Sequence, residues 1–335
     1  MDLNTMLFSL IGLLVVGYAI LDGFDLGIGM LSFFARSKEE RDLHVASIGP
    51  VWDGNEVWLL AVADVLFGAF PLAFSTVFSG FYLAFMLLLV ALIARGVAIE
   101  FRLQHLTFRW IRFWDFAFGL GSLASALLLG LTFGNLVRGV PIGPGFTWRG
   151  TFLGLLNPYA ILTGIVTCVL LLMHGALYLG MKTERELSDW LSRIAIYAYS
   201  LFLLLYGVAI AATVFVSPFL FRRARGLLFW GLPVLLVMAL ASIPFFIRTG
   251  RKGAAFLASS MTIALIIIVV ASSAYPVLVS SSLSPELSLT IYNAASTQGT
   301  LILVLGIALA GIPIMLAYTF AVYRVFRGPT RTAAH

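Results

Sequence analysis

Four carboxyl side chains stand close together in sequence that otherwise reads as membrane helix. Asp22 and Asp25 belong to the run LDGFDLGIGML, and Asp53 and Glu56 to GPVWDGNEVW. A charge at the bilayer centre costs roughly 2.5–3.5 kcal/mol on insertion scales, so four in one stretch need a reason. Each pair has i,i+3 spacing, which places its members on one helix face and predicts that this face looks into a bundle. Arg95, the one basic residue inside an apolar run, is the natural counter-ion. Two readings of this set stay open. In one, Arg95 neutralises a carboxylate and the others hydrogen-bond to Asn55, Trp indoles or backbone, so that the polar groups only register the packing. In the other, the acids form a proton route from the cytoplasm, as acid chains inside membranes often do. Ion or substrate binding is a third use of the same groups.

The elements that must position these residues follow from composition. The 335 residues are 61% hydrophobic and 11% charged, with mean hydropathy +1.03, which leaves too little polar surface to cover a globule in water. Apolar runs of 20 or more residues recur along the chain, the mark of spanning helices. They predict an all-α polytopic membrane protein, read as one integral membrane domain over residues 1–335 with no separate soluble domain. Nine spans are predicted, at about 5–35, 50–70, 74–102, 113–138, 158–182, 190–216, 227–247, 254–279 and 300–325. The segments are too long and lack the alternation of an outer-membrane barrel. A cleaved leader is not expected, because MDLNTM has no positive stretch and the first apolar run shows no small-residue cleavage site.

The net charge of +6 does not point to nucleic acid, because the basic residues sit in short clusters between apolar runs. One set of alternate loops holds fifteen Lys and Arg, the other five. The positive-inside rule then puts the N-terminus outside and the C-terminus in the cytoplasm, as an odd number of spans requires. With a helical rise of 1.5 Å per residue, Asp25, Asp53, Glu56 and Arg95 all fall in the cytoplasmic half of three neighbouring helices, with Asp22 nearer the midplane. Gly23 and Gly27 flank Asp25 with small-xxx-small spacing, which allows a partner helix to approach closely. On the outer side, residues 139–145 form a Gly/Pro turn stretch, Asn157-Pro158 opens the fifth span, and the Ser-rich segment 280–299 is expected to be an ordered surface loop.

Other chemistries find little support. His174 is the only histidine deep in a span, with no second ligand placed to converge on it for haem, and it reads as a hydrogen-bonded packing residue. No metal-ligand constellation, phosphate-binding loop or nucleophile elbow is visible. The single cysteine, Cys168, allows no intrachain disulfide. Most aromatics belong to interfacial belts and packing, but Trp52 and Trp58 flank the Asp53/Glu56 pair and could line a quinone or headgroup site.

The run Leu21-Asp22-Gly23-Phe24-Asp25-Leu26-Gly27, with Trp52-Asp53-Gly54-Asn55-Glu56-Val57-Trp58, resembles subunit II of cytochrome bd-type ubiquinol oxidases. Phe78-Ser79-Gly80-Phe81-Tyr82, Phe133-Gly134-Asn135-Leu136, Leu156-Asn157-Pro158 and Ser288–Ser296 match in the same order, so the resemblance covers nearly the whole chain. The short link between the sixth and seventh spans is similar to the compact variety called cyanide-insensitive oxidase. The resemblance implies a fold of two four-helix bundles plus a peripheral helix, in a bacterial cytoplasmic membrane. It implies a complex that oxidises quinol and reduces dioxygen to water, with haems b and d in the partner subunit I and none on this chain. Subunit I, membrane lipid and, in some complexes, a small single-helix subunit are the implied partners. The Asp of WDGN, here Asp53, is associated in the family with a proton path, while Trp52 and Asp25 match positions linked to a structural quinone. Other members carry Gln where this chain has Glu56, so a shared relay does not require a carboxyl there. The rival readings are an ion-coupled secondary transporter, which would commonly show internal repeats that are not visible here, and a purely structural partner subunit.

Overall fold

The computed structural model describes residues 2–105, 107–222 and 227–330. Thirteen helices occur among them: α1 (Leu3–Leu31), α2 (Lys38–Ile48), α3 (Trp52–Ala69), α4 (Pro71–Gly80), α5 (Tyr82–Phe101), α6 (Phe108–Arg138), α7 (Phe152–Leu155), α8 (Pro158–Lys182), α9 (Arg185–Val216), α10 (Pro218–Arg222), α11 (Leu227–Arg248), α12 (Lys252–Ala274) and α13 (Gln298–Val325). Eight of these (α1, α5, α6, α8, α9, α11, α12 and α13) are long and apolar enough to cross a membrane. The ninth expected span is α3, whose 18 residues also carry Asp53, Glu56 and Asp64. At 1.5 Å per residue it is about 27 Å long, close to the hydrocarbon thickness.

The expected 74–102 span is divided in two. Phe81, with φ −95° and ψ 14°, separates the short α4 from α5. Gly80 just before the break has the ring of Trp148 where a Cβ would stand, so an aromatic side chain from the loop between α6 and α7 occupies the bend. The spanning part therefore begins at Tyr82.

Helix contacts sort the spans into two groups. α1, α3, α5 and α6 pack together, α8, α9, α11 and α12 form the second group, and α13 lies at the edge against α3 and α1. The seam is made mainly by α1 and α6 against α8. Lipid tails are as apolar as leucine, so close backbone packing must hold such a seam. Gly27 and Gly175 supply it: a Cβ on Gly175 would lie 2.6 Å from the carbonyl carbon of Gly27 and the nitrogen of Ile28. The small-residue approach expected around Asp25 is thus made by α8.

Helix starts follow local chemistry. Asn157 caps α8 by accepting from the Ala160 N–H at 3.0 Å, with Pro158 in the first turn. Ser37 caps α2 by accepting from the Glu40 N–H at 3.2 Å, and the Glu40 carboxylate accepts in return from the Arg36 N–H at 2.7 Å. The Ser-rich segment is ordered, as expected. Strands β1 (Val277–Val279) and β2 (Leu289–Thr290) pair antiparallel, and Val140 of the Gly/Pro turn stretch bonds to Ser280 and Ser282 at 2.9 Å each.

Candidate functional site

The inner face of α1 delivers Asp22 and Asp25 one helical turn apart, both with no exposed surface. α5 brings Arg95, also wholly buried, so that Nη1 reaches Asp22 Oδ1 at 2.6 Å while Nη2 pairs with Glu56 Oε1 of α3. Arg95 is thus the shared counter-ion of two carboxylates from two helices. Its backbone can approach because Gly121 of α6 faces it, where a Cβ would sit 3.1 Å from the Arg95 nitrogen.

Asp25 is held differently. Asn55 of α3 donates from Nδ2 to Asp25 Oδ2 at 2.8 Å and to the Leu21 carbonyl at 3.3 Å, while its Oδ1 accepts from the Tyr323 hydroxyl of α13 at 3.1 Å. Asp25 is therefore the one carboxyl of the three without a cationic partner. Its Oδ1 is buried without a hydrogen-bond partner among the described residues, as is the indole N–H of Trp58, while the hydroxyl of the buried Tyr18 lies beside Asp22.

Of the residues singled out in sequence, Asp22, Asp25, Glu56 and Arg95 converge. Asp53 does not join them. It is exposed in the first turn of α3 and makes no side-chain hydrogen bond or ion pair among the described residues. The expectation that Asp53 and Glu56 share one inward face is corrected here. At about 100° per residue Asp53 lies roughly 160° from the buried Asn55, whereas Glu56 lies about 100° away and sits at the edge, its side chain 28% exposed. Trp52 lies with its ring 3.0 Å from where a Gly96 Cβ would be, and Trp58 is buried against Gly17.

Two participants carry little or no signal in sequence. Tyr18 stands four residues before Asp22 and so on the same helix face, a cue that spacing does contain. Tyr323 is 268 residues from Asn55, and nothing local announces the pair. His174 behaves as a packing residue: Nε2 donates to the Ile20 carbonyl at 3.1 Å, Nδ1 pairs with the Ser259 hydroxyl at 2.7 Å, and the ring stacks on Phe256.

A second ionic cluster lies beyond the helix ends. Arg102, 1% exposed, holds Asp42 of α2 at 2.6 Å and Asp115 of α6 at 2.5 Å, which ties α2 to the α5–α6 corner. Next to it on α2, His44 is fully buried with neither ring nitrogen paired among the described residues. Burial holds its imidazole down at about 4.

A helical group closed around an arginine and three carboxyls, with a second group packed beside it, defines a class: a multi-span membrane protein that keeps ionised groups inside its bundle. The chain belongs to the family of cytochrome bd terminal oxidase subunit II, whose model matches residues 3–326. It is 34% identical to cytochrome bd-I ubiquinol oxidase subunit 2 of Escherichia coli (strain K12), over 92% of this chain and 90% of that protein. It is 33% identical to cytochrome bd ubiquinol oxidase subunit 2 of Bacillus subtilis (strain 168), over 97% of this chain and 96% of the other. Its fold is similar to a chain in the structure of bd oxidase from Geobacillus thermodenitrificans, with a TM-score of 0.79 and 18% identity, covering 97% of this chain and 99% of that one. Membership makes the chain part of a respiratory oxidase complex, an oxidoreductase in which a subunit I is its partner, and its relatives fit a bacterial membrane protein.

Proposed function

We propose that this chain is the haem-free subunit of a quinol:oxygen oxidoreductase, supporting a haem-bearing subunit I and leading protons from the cytoplasm toward the site of dioxygen reduction. The observation that carries the proton role is the placement of Asp53. Its carboxylate is exposed at the first turn of α3, on the positively charged side of the chain, one turn before Glu56. Asp53 is the collecting group in this reading, and Glu56, half in and half out, receives protons at the edge of the Arg95 cluster. Arg95 holds Asp22 and Glu56 in place and keeps the local charge low enough for the bundle to close. The positive-inside distribution supports an N-terminus outside and a C-terminus in the cytoplasm of a bacterial inner membrane.

The haems b and d belong to the partner in this proposal and supply the electron transfer and oxygen chemistry there. A quinone held jointly by Trp52 and Asp25 does not fit this packing. The Trp52 ring is closed against Gly96, while Asp25 is wholly buried and turned toward Asn55. A cavity of about 570 Å³ lies elsewhere, between Phe8 and Gly12 of α1 and Tyr275 beyond α12. No step is routed through a quinone on this chain.

A purely structural role is the second reading, and the ion pairing of Arg95 favours it for Asp22. Replacing Asp53 by Asn in the assembled complex separates the two. The proton role requires quinol oxidation and proton uptake to fall roughly tenfold or more with haem content unchanged. Wild-type turnover and proton uptake with normal haem content would leave only the structural reading.

A further inference from the structure

The corner where α1 ends, α2 passes and α6 begins encloses a cavity of about 330 Å³. Its charged lining is Lys38, Arg41, Arg112 and Asp115, three cations against one carboxylate. That carboxylate is already committed, because Asp115 Oδ1 is 2.5 Å from Arg102 Nε and only its other oxygen reaches Arg41, at 3.8 Å. Lys38 has only a 3.4 Å contact with Asp42, which Arg102 also holds at 2.6 Å. Arg112 forms no ion pair among the described residues, and its guanidinium lies 5.6 Å from the Phe108 ring. The cavity therefore has an unmet demand for negative charge at the membrane–water border, where such an excess binds acidic headgroups.

The rest of the lining narrows the anion. Phe33, Phe108 and Phe116 line the same cavity and are exposed, with Phe33 and Phe116 in edge contact at 6.2 Å between centroids. Phe108 and Phe116 stand one turn to either side of Arg112 on the same face of α6, and Phe33 of the α1 end lies against Phe116. A free phosphate has no use for these rings, whereas a lipid needs both halves: cations for its phosphate and an apolar wall for the start of its acyl chains. We infer that this corner binds the phosphate of an anionic phospholipid between Lys38, Arg41 and Arg112, with its chains running past Phe33 and Phe116 along α6. The lipid fastens α2 to α6 alongside the Arg102 cluster.

The test uses the oxidase complex purified in detergent and washed free of lipid. It is titrated with dihexanoyl phosphatidylglycerol and, separately, with dihexanoyl phosphatidylcholine and inorganic phosphate, with binding read by phosphorus NMR. Phosphatidylglycerol is expected to saturate and to bind about tenfold or more tightly than the other two. The Lys38→Gln/Arg112→Gln double variant is expected to lose about tenfold or more of that affinity. Lys38→Arg/Arg112→Lys, which keeps both charges, should stay within about threefold of wild type. If the glutamine variant does not assemble, salt decides on the wild-type complex, whose affinity should fall several-fold between about 50 and 500 mM. Any of four results overturns the site: no saturable binding, equal binding of the two lipids, inorganic phosphate binding as tightly as phosphatidylglycerol, or affinity indifferent to both variant and salt.

Discussion

Replacing Arg95 by Met is the most direct probe of the buried cluster. Methionine keeps much of the stem volume and removes the charge, so Asp22 loses its one ion-pair partner among the described residues while 0% exposed, and Glu56 loses the same partner while 28% exposed. Breaking a buried pair by removing one member costs about 3–5 kcal/mol, because the other charge stays behind in the apolar interior. Most of that cost belongs to Asp22, since water can reach Glu56 and relieve it. The expected destabilisation is therefore about 3–4 kcal/mol, a factor of several hundred in the unfolding equilibrium. Adding Asp22→Asn should recover about half, because the amide no longer needs a cation. The assay is reversible unfolding of the purified chain in mixed micelles, run on wild type, both single variants and the double variant. A cost below about 1 kcal/mol for Arg95→Met, or strictly additive single variants, would refute the claim that Asp22 depends on Arg95.

Other expectations test separate parts of the fold. Gly175→Ala should destabilise by about 1–3 kcal/mol in the same unfolding assay, because the new methyl meets the α1 backbone at Gly27 rather than a side chain that can turn away. Gly12→Ala, in the same membrane helix as Gly27 but with open space at its Cβ, should be neutral or stabilising by up to about 1 kcal/mol. Tyr323→Phe should cost about 1–2 kcal/mol by leaving Asn55 Oδ1 without its donor, and should loosen α13 in hydrogen exchange. His44 predicts a pH effect. Its folded-state value near 4 lies below the ordinary 6.5, so the detached form of α2 binds more protons, and the attachment of α2 is complete above about pH 6.5 and weakens as pH falls toward 4. Exchange protection of α2 should drop over that window in wild type and change far less in His44→Gln.

Much of this architecture is legible in the chain itself, because spanning helices are fixed by long apolar runs and each carries its own backbone hydrogen bonds. The polar cluster was partly legible for the same reason. An ionised side chain in such a run must find a partner, and Arg95 was the only cation available to Asp22 and Glu56. What spacing could not give was helix phase at the bundle edge. Asp53 and Glu56 stand about 60° apart, and the boundary between inside and outside falls between them. Only the neighbours of α3, including the distant α13, decide where that boundary runs. The break at Phe81 was hidden likewise, since the Trp148 that occupies the bend lies 67 residues further along, in the loop between α6 and α7.

Asn55 joins three helices at once, taking a hydrogen bond from Tyr323 of α13 and giving others to Leu21 and Asp25 of α1. In the order of synthesis, α1 and α3 are in the membrane long before the chain reaches Tyr323, near the end of the last span. Until then the Asn55 carbonyl faces the place that α13 will fill. Docking of α13 and closure of the polar cluster are thus one event.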